Sequence, residues 1–116
     1  MAASKNPLVR LVHIRDEIDA LTAAFDGVTY EAFVTSYVLK RTAEHAVLII
    51  SEAARSLDQA VTAPYPVIDW RAIRDVGNIL RHEYFSVDPR VPWRIVNHSL
   101  PELRPVIQAM IEALTR

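Results

Sequence analysis

The chain of 116 residues has no cysteine, which excludes a disulfide framework and any thiolate metal site and fits a cytoplasmic protein. Its only glycines are Gly27 and Gly77, so there is no glycine-rich loop to cradle a phosphate. The longest uninterrupted apolar run is residues 46–50, far short of the roughly 20 residues that span a bilayer. The opening MAASKNPLVR lacks the apolar stretch of a secretory signal. Charge of one sign is also missing: 13 basic residues face 14 acidic ones, a net charge of −1. A broad electrostatic grip on nucleic acid is therefore not expected. His13, His45, His82 and His98 are scattered, with no pair at the spacing that sets two imidazoles on one helical face, so neither a metal nor a cofactor is expected.

What the chain does have is helical periodicity. Hydrophobic residues make up 51% of a length that fits one domain, residues 1–116, with a single core. Asn6 and Pro7 read as the cap and first position of a helix over residues 7–24, carrying Leu8, Leu11, Val12, Ile18 and Leu21. After a break at residues 25–29, Thr29 caps a long second helix expected over residues 30–60. Around residues 47–50 that helix is apolar on every side, which points to a central position or a subunit contact. Arg41, Glu44, His45, Glu52 and Arg55 flank the apolar turn, and on spacing alone they read as surface ion pairs. Pro64 and Pro66 stiffen the connector that follows. Asp88 and Pro89 start a short helix with Val91, Trp93 and Val96. A break is expected near residues 97–101, where Ser99 and Glu102 have capping-box spacing while Pro105 argues for a kink or a later start. The last helix carries Val106, Ile107, Met110, Ile111 and Leu114. No stretch alternates with period two, so the fold class is all-α, a bundle of four to five helices.

The chemistry concentrates in residues 69–88, DWRAIRDVGNILRHEYFSVD. Asp69 is a suitable N-cap, and Ile73, Val76, Gly77, Leu80 and Tyr84 recur at three and four residues as a core stripe. Four residues turn a helix by about 400°, so Arg74, Asn78 and His82 drift only about 40° per step and share a face turned largely away from that stripe. Ile79 also lies off the core side, a sign that something covers part of that face. A glycine inside a helix costs about 1 kcal/mol relative to alanine, so Gly77 points to a close helix contact or to strain tolerated beside a site. Imidazole moves protons near neutral pH, an amide orients a phosphate or ribose, and guanidinium neutralises a developing phosphorane. His82, Asn78 and Arg74 or Arg81 are thus the minimal kit for metal-free cleavage of RNA by its own 2′-hydroxyl.

In sequence order, the segments ending in Ile49-Ile50-Ser51-Glu52-Ala53-Ala54, then Trp70-Arg71-Ala72-Ile73-Arg74-Asp75, Gly77-Asn78-Ile79-Leu80-Arg81-His82-Glu83-Tyr84, Val91-Pro92-Trp93 and Leu100-Pro101-Glu102-Leu103 resemble the HepT-like branch of the HEPN superfamily. These are small all-helical toxins found beside MNT-type minimal nucleotidyltransferase antitoxins. The family signature is an arginine, often followed by asparagine, then a histidine with four to six residues between it and the arginine, and a tyrosine two beyond it. Asn78, His82 and Tyr84 match. Gly77 stands where the commonest form has the arginine, Arg74 is one residue beyond the usual range and Arg81 adjoins the histidine. The resemblance implies an endoribonuclease toxin acting as a homodimer, with a metal-free cleft that binds and cleaves RNA between paired motif helices. It also implies an antitoxin that covers the cleft or transfers AMP from ATP to Tyr84. The alternative is a non-catalytic helical partner of a nucleotidyltransferase with a degenerate motif.

Overall fold

Asn6 Oδ1 accepts from the Leu8 N–H at 2.9 Å and Pro7 takes the first helical position, as the sequence predicts, and helix α1 spans Pro7–Ala24. The computed structural model describes residues 6–82 and 87–116, and among them every regular element is helical. Leu11, Ile14, Ile18 and Leu21 form the buried stripe of α1. The chain then turns through Gly27, whose φ of 73° is the left-handed conformation a glycine adopts without steric cost.

The expected second helix is three elements. Helix α2, Tyr30–Thr35, is capped by Thr29 Oγ1 on the Ala32 N–H at 3.2 Å. It stops at Ser36, which has extended backbone angles and whose Oγ accepts from the Leu39 N–H at 3.1 Å to start α3, Tyr37–Arg55. A serine offers the backbone this alternative partner wherever the chain profits from a bend, and here the bend keeps Phe33 wholly buried against Phe25 and Trp93. Helix α3 ends before residue 60 because the chain turns at Ser56, buries Leu57 and takes an extended conformation at Asp58 ahead of the short α4, Gln59–Thr62.

The proline-containing connector leads to α5, Trp70–His82. Asp69 Oδ1 caps it by accepting from the Ala72 N–H at 3.0 Å, and Trp70 Nε1 donates back to the Tyr65 carbonyl at 3.0 Å. Asp88 Oδ1 accepts the Arg90 N–H at 2.9 Å, and α6, Arg90–Arg94, follows with Pro89 rather than Asp88 at its N-cap position.

No break follows. Helix α6 passes through a π-helical turn, Ile95–Ser99, directly into α7, Leu100–Thr115. Ser99 has helical angles and makes no capping bond, so the capping box does not form and α7 starts ahead of Pro105. The prolines explain the wide turn: Pro101 has no N–H for the Asn97 carbonyl, and its ring crowds that carbonyl in a regular helix. Widening by one residue relieves the clash, and Asn97 Nδ2 donates to the Trp93 carbonyl at 2.9 Å across the turn.

The core lies where α3 packs between α1 and α5 and where α7 crosses α1. Ala43, Ala46, Ala53 and Ala54 of α3 are buried and admit the neighbouring helices closely. Val47 and Ile50 are buried while Leu48 and Ile49 are half-buried, so the all-apolar turn is indeed central. Phe25, Tyr30, Phe33 and Trp93 form an aromatic cluster at one end, with centroids 5.3 to 6.5 Å apart. Among the described residues, no helix is long and apolar enough to cross a membrane.

Candidate active site on helix α5

Helix α5 is fixed to α3 through Ser51, which is 0% exposed. Its hydroxyl donates to the Arg74 carbonyl and accepts the Gly77 N–H, both at 3.1 Å. A Cβ on residue 77 would stand 2.5 Å from Ser51 Oγ and 3.0 Å from Ser51 Cβ, closer than atoms pack. Gly77 is therefore the close-contact glycine that its position in the helix suggests. Ser51 faces Arg74 and Gly77, whereas Leu80 lies against residues 41–48, so the two helices run antiparallel.

This anchoring sets the outer face of α5. Arg81 Nη2 donates to Asn78 Oδ1 at 2.8 Å. Guanidinium has only donors, so it turns the amide oxygen toward itself and leaves the Asn78 NH2 group for another partner. Arg81 Nη1 lies 2.7 Å from Glu52 Oε1, a shielded oxygen that receives no well-aligned hydrogen bond; the contact is an ion pair without that alignment. Both side chains stay more than a third exposed, so the pair orients Arg81 more than it stabilises the fold.

Asn78 and His82 are exposed and Arg74 is half-buried. Among the described residues, neither the Arg74 guanidinium nor the His82 imidazole has a hydrogen-bond or ion-pair partner. The structure thus puts Arg74, Asn78, Arg81 and His82 along one side of one helix. Tyr84, the expected modification site, lies outside the described residues. No group of three His, Asp or Glu side chains suited to a metal gathers among the described residues. Sequence spacing did not reveal Ser51 and Glu52 as supports of α5. Gly77 signals a close neighbour without saying which.

Well around the helix from this face, Ala72, Ile73 and Val76 of α5 border an apolar cavity of about 200 Å³. Val47 and Ile50 of α3, with Ile95 and Leu100 beyond, complete its walls. Further along the same edge of α5, Ile79 is 45% exposed.

The model of the family described as "Ribonuclease HepT-like" matches residues 14–110. The chain belongs to that family. Among HepT-like relatives, "Putative RNase TTE0752" of Caldanaerobacter subterraneus subsp. tengcongensis is 30% identical over 108 residues, covering 93% of this chain and 96% of that protein. "Probable ribonuclease HepT" of Thermococcus cleftensis is 28% identical over 94 residues, covering 81% and 86%. No solved structure gives a significant match. Within a HepT-like chain, the Ser51 contact gives the glycine at position 77 a physical reason: no side chain fits there while the serine hydroxyl joins α3 to α5.

Proposed function

We propose that residues 1–116 form a single HepT-like domain that acts as a metal-independent endoribonuclease, the toxin of a toxin–antitoxin pair. The observation that carries this reading is the arginine-oriented Asn78 beside an exposed imidazole: Arg81 fixes the amide, and His82 lies one turn beyond Asn78 on the same face. In the proposed reaction, His82 takes the proton of a ribose 2′-hydroxyl as the oxygen attacks the adjacent phosphorus. The bond to the 5′-oxygen breaks, and that oxygen receives a proton, leaving a 2′,3′-cyclic phosphate and a 5′-hydroxyl. Arg81 or Arg74 neutralises the phosphorane and the Asn78 NH2 group holds a phosphate oxygen or ribose hydroxyl.

A homodimer that pairs the α5 helices supports this chemistry, because it brings two imidazoles and at least two guanidinium groups to one cleft in a chain close to neutral. An MNT-type nucleotidyltransferase serves as the antitoxin, covering the cleft or transferring AMP to Tyr84. The modification would set bulk and negative charge where an RNA phosphate must lie. Gly77 favours a second reading, a non-catalytic partner of the nucleotidyltransferase, because it replaces the usual arginine of the motif.

The deciding experiment is RNA cleavage by purified protein in EDTA, wild type against His82→Ala, with folding checked by circular dichroism. Cleavage that persists in chelator and disappears in the folded variant is the expected result. A well-folded, unmodified wild type that leaves several RNAs intact would establish the binding-partner reading instead.

A further inference from the structure

The outer edge of α3 runs beside the α5 site and carries side chains that surface ion pairing alone does not explain. Tyr37 and Val38, in its first turn, are 70% and 69% exposed, although a tyrosine gains more by burying its ring. The Arg41 guanidinium lies 5.0 Å from the Tyr37 ring centroid, and Glu44 Oε1 holds Arg41 Nη1 at 2.8 Å. The two contacts leave Arg41 stacked on the ring and fixed along its edge. His45 follows one turn on, exposed. Arg41, Glu44 and His45 share a pocket of about 190 Å³ with Leu48 and with Leu80 of α5. Glu52 lies seven residues after His45 and eleven after Arg41, on the same face of α3, and its Oε1 is 2.7 Å from Arg81 Nη1 of α5, so this edge of α3 reaches the candidate active site.

We infer that Tyr37, Arg41 and His45 form a subsite for single-stranded RNA flanking the cleavage site, with Tyr37 stacking a base and Arg41 and His45 facing the adjoining phosphates. An exposed aromatic ring next to cations is the arrangement that holds single strands without reading sequence, because every base has a π-face. The charges along this edge are Arg41 and His45 of α3 and Arg81 of α5, against Glu44 and Glu52. Glu44 keeps the guanidinium aligned in the free protein, and a phosphate competes with it for Arg41. A protein partner would also use an exposed tyrosine and arginine, but the meeting of this edge with Arg81 at Glu52 favours the strand that enters the α5 face. The inference rests on the ribonuclease reading for the identity of the ligand and not for the chemistry of cleavage.

The test uses a short fluorescein-labelled, fully 2′-O-methylated oligouridylate, which lacks the nucleophilic hydroxyl and reports binding whether or not the protein cuts. Anisotropy titrations compare wild type with Tyr37→Ala, Tyr37→Phe and Arg41→Ala, and with Val67→Ala as a control at another exposed site. Tyr37→Ala should weaken binding about tenfold, the loss of one stacked base, and Tyr37→Phe should restore it. Arg41→Ala should flatten the dependence on salt. Binding that depends on Tyr37 in a protein that cuts no RNA keeps the subsite and removes the ribonuclease reading. Cleavage of ordinary RNA with binding and KM unchanged by Tyr37→Ala and Arg41→Ala overturns the subsite alone, and so does a wild type that fails to bind the oligonucleotide. Unchanged RNA binding with lost retention of the nucleotidyltransferase would assign the surface to protein and also overturn the inference.

Discussion

At position 77 two effects oppose each other. Alanine gains about 1 kcal/mol over glycine inside a helix, but here its Cβ would meet Ser51 Oγ at 2.5 Å in a wholly buried contact. Overpacking of a tight core costs about 1–3 kcal/mol, and Ser51 cannot swing aside without giving up its bonds to Arg74 and Gly77. Gly77→Ala should therefore lower stability in urea denaturation, and adding Ser51→Gly should recover part of the loss; a more stable Gly77→Ala would show that the helices can separate at no cost. The supports of the arginines give a second expectation. Arg81 is held beside Asn78, whereas the Arg74 guanidinium has no partner among the described residues. Arg81→Ala should reduce RNA cleavage by at least tenfold more than Arg74→Ala, as measured by initial rates in EDTA, and equal losses would remove the assignment. The shared face of Arg74, Asn78 and His82 was legible because helical spacing is a local rule. Ser51 was not, since it precedes Gly77 by 26 residues and only the packing of two helices brings them together.

The same division between local and packed information holds for the elements. Helices α1 and α5 begin where Asn6 with Pro7 and Asp69 announce them, because a cap is a bond between near neighbours. The bend at Ser36 escaped the periodicity because residues 30–55 keep apolar positions on both sides of it, and burial of Phe33 among distant aromatics decides the direction of α2. Ser36→Ala removes the bond to the Leu39 N–H, so it should lower stability by about 1 kcal/mol, the usual worth of a lost N-cap, read as a drop in Tm; an unchanged Tm would mean that Phe33 packing alone sets the bend. Helices α1 and α7 are also clipped together, with Arg104 Nε and Nη2 each donating to Asp19 at 3.1 Å. Hydrogen bonding from Arg104 holds the Asp19 carboxyl below its usual range. The sign follows from linkage: a carboxyl lowered in the folded state adds stability above the unfolded value near pH 3.9, and that stability fades as acid protonates the folded group. Because both groups face solvent, the effect is small and weakens with salt. Asp19→Asn should be slightly less stable than wild type at neutral pH, and the difference should shrink as the pH falls below the unfolded carboxyl value near 3.9, as measured by paired urea titrations.

For the whole molecule, the outer side of α5 has two characters, and their arrangement matters for assembly. Ala72 and Val76 border the apolar cavity and Ile79 continues that edge into solvent, while Asn78 and His82 occupy the adjoining polar face. A second copy packed on the apolar edge would bury Ile79 and bring its own polar face alongside the first. Coverage of Ile79 and completion of the cleft are then one event, so a charge placed there should impair both. Ile79→Glu sits on an exposed position and replaces no core contact, so the monomer should keep its helical circular dichroism and most of its thermal stability. Sedimentation velocity should show the variant as monomer where wild type is dimer, and cleavage of RNA should fall with the dimer fraction across a protein dilution series. If Ile79→Glu remains dimeric and active, the subunits meet elsewhere and α5 works alone. If it is monomeric yet fully active, the site is complete within one chain, and the lone His82 must both accept and return the proton during cleavage.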